Sequence, residues 1–211
     1  MKKRVSILAM AILITLISLT ASAHEYSPEM YFGNLSKPIG YQAQVNFKYH
    51  AITTTTNAAY CTKVSQAVNA WASACPRIVP TQFTSQGSAD IVFYDSWPST
   101  LPTFAVGAAK FTPIDATLWN WGTNWSAPTS SKTVKRLNSA GIYVNIPLQN
   151  LAGYTDANIM HTYLHEIGHT LGFDETIDGT VSVMQQGQYS YMSPQSHDIS
   201  DFNSKYGWVS W

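Results

Sequence analysis

The chain has 211 residues, enough for one domain with a full hydrophobic core. An apolar fraction of 45%, with 12 Gly and 10 Pro, excludes a disordered or collagen-like polypeptide. Formal net charge is zero, charged residues make up 11% against 13% aromatics, and the body of the chain has no basic run, so nucleic-acid binding lacks its electrostatic footprint.

Residues 1–23 read as a secretory signal peptide. Lys2, Lys3 and Arg4 open it, an apolar run from Val5 to Leu19 follows, and Ala21-Ser22-Ala23 supplies the small residues a signal peptidase needs. The alternative is an uncleaved anchor, for which the run is short against the roughly 20 residues of a full span. Cleavage after Ala23 removes three positive charges and leaves 9 Lys+Arg against 12 Asp+Glu. The expected destination is secreted: extracellular, or periplasmic in a Gram-negative cell, with no membrane contact once the signal is gone.

Residues 24–40, with Pro28, Gly33, Pro38 and Gly40, read as a short, loosely ordered lead-in, and 41–211 as a single domain. Alternation through Val45, Phe47 and Tyr49 predicts a strand over 41–49. Tyr60, Val64, Ala67, Val68 and Trp71 recur at helical spacing, predicting a helix over 57–74 that Pro76 stops. Strands are expected over 77–83, 89–94, 104–111 and 142–146. Residues 112–133, carrying Trp119, Trp121 and Trp125 among Asn, Gly, Ser and Thr, read as a long loop whose tryptophans either pack on the sheet or bind a ligand. Further helices are expected over 157–171, capped by Asp156 or Thr155, and over 194–206, capped by Ser193. The two cysteines, Cys61 and Cys75, flank one helix. Fourteen residues at 1.5 Å span roughly 21 Å, against the 5.5–6 Å or so of a disulfide, so two separate thiols are expected.

Three of the six histidines (His161, His165, His169) and one of the four glutamates fall within nine consecutive residues. His165 and His169 lie one helical turn apart on the same face and can share one zinc ion. Glu166, one step round the helix, can act as general base toward water activated by that ion. The competing reading is two surface histidines on an amphipathic helix. Gly172 can end the helix in a left-handed turn, returning the chain so that Glu175 supplies a third donor. Asp174, one residue earlier, is the rival. His161 is about 12 Å along the axis from His169, too far to share the ion. His197, on the last helix, is a remote candidate.

The stretch His165-Glu166-Ile167-Gly168-His169-Thr170-Leu171-Gly172-Phe173-Asp174-Glu175, followed by Met184, resembles the metzincin metallopeptidases, and within them the matrixin catalytic domain. That family reads His-Glu-x-x-His-x-x-Gly-x-x-His with a methionine turn beneath the metal; here Glu175 stands where most members have His. Ala67 to Trp71, Ala89-Asp90-Ile91, Gly107-Ala108-Ala109, and Asp198-Ile199 followed by Tyr206-Gly207 are similar to further matrixin segments, so the likeness covers about residues 41–208. It implies an α+β zincin fold with a twisted, mostly five-stranded mixed sheet and three helices. It further implies a secreted zinc metalloendopeptidase with Glu166 catalytic and His165, His169 and Glu175 on the metal. Met184 would lie below the metal, and peptide would bind along Gly107, Ala108 and Ala109. Tyr189, Tyr191 and Met192 would wall the pocket for the substrate side chain after the scissile bond. Structural Ca2+ is implied too, although no calcium loop is visible. The expected partner is a protein or peptide substrate and the expected state a monomer. The 17 residues before Tyr41 hold no cysteine to block the metal, which leaves the lead-in itself as a possible cover for the cleft. The alternatives are an inactive relative that binds a partner protein, and a secreted module binding glycans through the tryptophan-rich segment.

Overall fold

The computed structural model describes residues 30–32, 34–35, 45–52, 58–120, 130–176 and 179–206. The side chains of 30–35, 58, 111–120 and 130–138 are not described. The signal segment, His24, Trp121 and Trp125 lie outside the described residues.

The protein is α+β, with a mixed sheet backed by helices. Its strands are β1 (Met30–Phe32), β2 (Asn34–Leu35), β3 (Val45–Ala51), β4 (Ile78–Gln82), β5 (Ile91–Tyr94), β6 (Gly107–Asn120) and β7 (Ser130–Val144). These seven strands occupy five lanes. β4, β3, β5 and β7 run parallel in that order, and β6 closes the sheet antiparallel to β7. Val45 pairs with both β2 and β4, so β2 lies on the same side of β3 as β5. Lys135–Leu137 pair with both β1 and β6, so β1 lies on the β5 side of β7. Both pieces therefore lie between β3 and β7, on the side where β5 pairs, and run in opposite directions. The expected five-stranded sheet is found as five lanes, and part of the lead-in that was read as loose belongs to it.

Side-chain alternation sets the strands. Val45, Phe47 and Tyr49 are buried while Asn46 and Lys48 are exposed, the two-residue period of a half-covered sheet. Ile91, Val92 and Phe93 are all buried, as a central strand requires. The segment 112–133, read as a loop, instead supplies strand at both ends: β6 runs to Asn120 and β7 starts at Ser130. Its two ends pair with each other as a ribbon, and cross-strand pairing overrides the loop-like composition.

Four α-helices are described where three were expected: α1 (Ala58–Ala74), α2 (Ile146–Leu151), α3 (Asp156–Thr170) and α4 (Ser196–Tyr206). The additional α2 is one short piece, capped by the Asn145 side chain accepting from Leu148 N–H at 3.3 Å, with Pro147 in its first turn. α1 buries Val64, Ala67, Val68 and Trp71 in the core. Thr155 caps α3 through a box in which Thr155 Oγ1 accepts from Asn158 N–H and Asn158 Oδ1 accepts from Thr155 N–H. α4 begins at Ser196, beyond the expected Ser193 cap. Cys61 and Cys75 are both free thiols. No helix among the described residues is long and apolar enough to cross a membrane.

Candidate metal centre

α3 carries the histidines and terminates where the chain must turn. Leu171 caps it, and Gly172 follows at φ 78, a conformation glycine adopts without penalty. Gly172 N–H donates to His169 O at 2.9 Å and Phe173 N–H to Gly168 O at 3.1 Å, the paired bonds of a Schellman end. Trp71 fixes this end. Its ring stacks on Phe173 at 5.9 Å, and its Nε1 donates to Leu164 O at 3.0 Å. The returning chain brings Glu175 back over the helix.

His165, His169 and Glu175 come together. Their ligand atoms form a triangle: His165 Nε2 to His169 Nε2 is 3.0 Å, and Glu175 Oε1 is 3.4 and 3.3 Å from them. Donors 2.0–2.1 Å from a tetrahedral zinc ion are separated by about 3.3–3.4 Å, so the triangle has the right size. The protonation pattern also fits. His165 Nδ1 lies 2.9 Å from Val183 O and His169 Nδ1 2.9 Å from Phe173 O. A carbonyl can only accept, so each Nδ1 carries a proton and each Nε2 faces inward, where it holds either a proton or a metal ion. Two imidazole nitrogens and a carboxylate facing one another at this range could hold a metal ion. Glu175 Oε2 is buried with no hydrogen-bond partner, leaving a further lone pair for such an ion.

The electrostatics carry the same message. Burial opposes charge on His165, but the hydrogen bond and charge of Glu175 outweigh it and raise its pKa to about 9. Burial likewise opposes the Glu175 carboxylate, yet His165 and His169 hold its pKa well below the usual range. A proton and a metal ion compete for the same lone pairs. Among the described residues these three form the one group of His, Cys, Asp or Glu side chains close enough to share an ion.

Asp174 is exposed and outside the triangle. His161 is on α3 with its ring 6.0 Å from that of His165, but it takes no part in the triangle. It is buried against Tyr189 and Tyr191, whose rings stack on each other at 5.5 Å. His197 pairs with Asp201 on α4 at 3.3 Å. Met184 is buried beneath the helix, where a Cβ on Gly168 would overlap its Sδ.

Glu166 faces the sheet edge. It is buried, and desolvation pushes its carboxyl pKa up, tempered by His165 and His169. The Ala109 N–H donates to it. Gly107 makes this approach possible: a Cβ there would lie 2.6 Å from Glu166 Oε1 and 2.6 Å from Thr162 Cγ2. Asn145 N–H donates to Val106 O at 3.0 Å, which fixes the register of the β6–β7 ladder. Gly107 and Ala109 therefore turn their N–H and C=O groups away from β7, toward the edge of β6 that no described strand covers. The edge and the triangle thus meet at Glu166.

Sequence reasoning missed the residues that hold the histidines in place. The acceptors Val183 O and Phe173 O are backbone groups and carry no side-chain signal. Asp198, whose buried carboxylate accepts from Val183 N–H, was read only as part of the last helix. No family model matches the chain, and no curated protein sequence matches it.

Proposed function

We propose that the protein is a secreted zinc-dependent metalloendopeptidase with a metzincin fold, close in plan to the matrixin catalytic domain. The observation that carries this reading is the triangle of His165 Nε2, His169 Nε2 and Glu175 Oε1, 3.0–3.4 Å on a side, with buried Glu166 between it and an open strand edge. The motif order, the Gly172 turn and the Met184 floor add support.

His165, His169 and Glu175 would hold the zinc ion, leaving its remaining position for reactants, as catalytic zinc sites do. When bound, zinc supplies Lewis-acid polarisation of a carbonyl and lowers the pKa of water. An extended substrate adds to β6 antiparallel or parallel through the outward N–H and C=O of Gly107 and the C=O of Ala109, whose N–H is taken by Glu166. That docking directs a peptide carbonyl toward the cleft. Glu166 takes the proton from attacking water and returns it to the departing amine. A carboxyl pushed upward by burial suits both transfers. Tyr189 and Tyr191, packed beside His161, wall the space beyond the scissile bond.

The test is metal analysis with casein or peptide digestion for wild type and Glu166→Gln. Wild type should bind one zinc and cleave internal peptide bonds, with cleavage abolished by a chelator. Glu166→Gln should keep the zinc and lose about 10²–10⁴ in rate. A zinc-free wild type, or full proteolysis by Glu166→Gln, overturns the proposal.

A further inference from the structure

The two histidines owe their orientation to Val183 O and Phe173 O, and both carbonyls trace back to one helix. At the start of α4, Asp198 is 2% exposed. Its carboxylate accepts from Val183 N–H at 3.0 Å, Gln195 N–H at 2.6 Å and the Ser182 hydroxyl. Ser182 Oγ in turn accepts from Met184 N–H at 2.9 Å. The Val183–Met184 peptide, whose carbonyl faces His165 Nδ1, is therefore held on its N–H side by Ser182 Oγ, and Asp198 fixes both that hydroxyl and the preceding peptide through Val183 N–H. At the other end of α4, Tyr206 Oη donates to Leu171 O at 2.8 Å and Lys205 Nζ to Gly172 O at 3.0 Å. Those are the two carbonyls immediately before Phe173, whose own carbonyl faces His169 Nδ1.

We infer that α4 is a brace for the metal centre with two separate attachments: Asp198 positions His165 through the Ser182–Val183 turn, and Tyr206 with Lys205 positions His169 through the 171–173 turn. This rests on the reading of the triangle as a metal site. Asp198 and Tyr206 are eight residues apart, about 12 Å along the helix. A rigid rod of that length ties together the helix-end turn and the methionine turn, which also meet directly where Thr176 N–H donates to Met184 O at 3.0 Å and Thr176 Oγ1 to Ser182 Oγ at 3.2 Å. A ligand imidazole whose Nδ1–H has a fixed acceptor keeps its tautomer and ring plane, and loss of such an outer partner typically weakens metal binding about 10–100-fold.

The experiment uses the full chain with Asp198→Asn, Ser182→Ala and Tyr206→Phe, and Val45→Ala as a control that loosens the core in β3. Zinc affinity is measured by competition with a chromogenic chelator, the visible spectrum is recorded on the cobalt-substituted proteins, and thermal stability is measured without metal. Asp198→Asn should weaken zinc binding about 10–100-fold and Tyr206→Phe by about tenfold or less, both with a shifted cobalt spectrum. Val45→Ala should lower stability while leaving affinity and spectrum as in wild type. Should Asp198→Asn fail to fold, Ser182→Ala and Tyr206→Phe carry the test. Wild-type affinity and an unchanged cobalt spectrum in the folded α4 variants overturn the brace and leave the metal site standing. A wild type that binds no zinc overturns both.

Discussion

A methyl group at position 107 would enter space that Glu166 and Thr162 already fill. Its carbon would lie 2.6 Å from Glu166 Oε1 and 2.6 Å from Thr162 Cγ2, about 0.8 Å inside ordinary contact on each side. Thr162 has little room to yield, because its hydroxyl donates to Asn158 O at 3.0 Å and accepts from Gln149 Nε2 at 3.4 Å. Either β6 lifts from α3 or the Glu166 carboxyl swings off the Ala109 N–H. Overpacking of this kind costs about 1–3 kcal/mol, and each kcal/mol lowers Tm by about 2–4 °C in a domain of this size. Displacing a general base by about 1 Å costs up to about 10² in rate. Gly107 touches none of the three metal donors, so zinc affinity should stay within about threefold of wild type. Gly107→Ala is assayed by zinc content, calorimetric Tm and kcat/KM on a quenched peptide. Equal zinc content with kcat/KM within about twofold of wild type would refute the placement of Glu166 against β6.

Glu175→Ala should weaken zinc binding by more than about 100-fold, beyond the loss of an outer partner, while Asp174→Ala leaves it unchanged; a chelator competition that ranks them the other way contradicts the triangle. Burial, then the neighbouring His165 charge, lowers the His161 pKa to about 3. Its unfolded value is about 6.5, so the unfolded chain binds the proton first. Stability present above pH 6.5 is therefore lost as pH falls toward 3, by at most about 1.4 kcal/mol per unit from this residue. Urea titrations of the metal-free protein should show a shallower acid limb for His161→Phe, and parallel limbs would contradict the assignment. Trp71→Phe leaves Leu164 O without its indole donor and should cost about 1–3 kcal/mol in denaturant unfolding; a loss below about 0.5 kcal/mol would show that this hydrogen bond contributes little.

Much of the scaffold was legible because it is written in periodicity. The two-residue alternation of Val45, Phe47 and Tyr49 and the helical spacing from Val64 to Trp71 each describe a single buried face, and those elements form where expected. The triangle was legible for a related reason: an i, i+4 pair on a helix and a glycine three residues beyond fix most of the geometry locally. Glu175 over Asp174 was not decided by the sequence, because one step along an irregular return reverses which side chain faces inward. The full length of β6 and β7 was obscured because their stability lies in cross-strand pairing, and the polar, tryptophan-bearing composition of 112–133 imitates a loop. α2 escaped notice because six residues give too few turns for a period to show. The brace from α4 could not be read at all, since two of its links are peptide groups and Asp198 meets Val183 only after the chain has folded.

Strands β1 and β6 both pair with β7, at well-separated places. Met30 sits opposite Lys135, while Gly107 sits opposite Val144, nine residues farther along β7 and about 30 Å away. The described stretch Met30–Phe32 is therefore pinned to the sheet at a distance from Gly107. On the proposed reading, a peptide laid along Gly107 and Ala109 need not displace it.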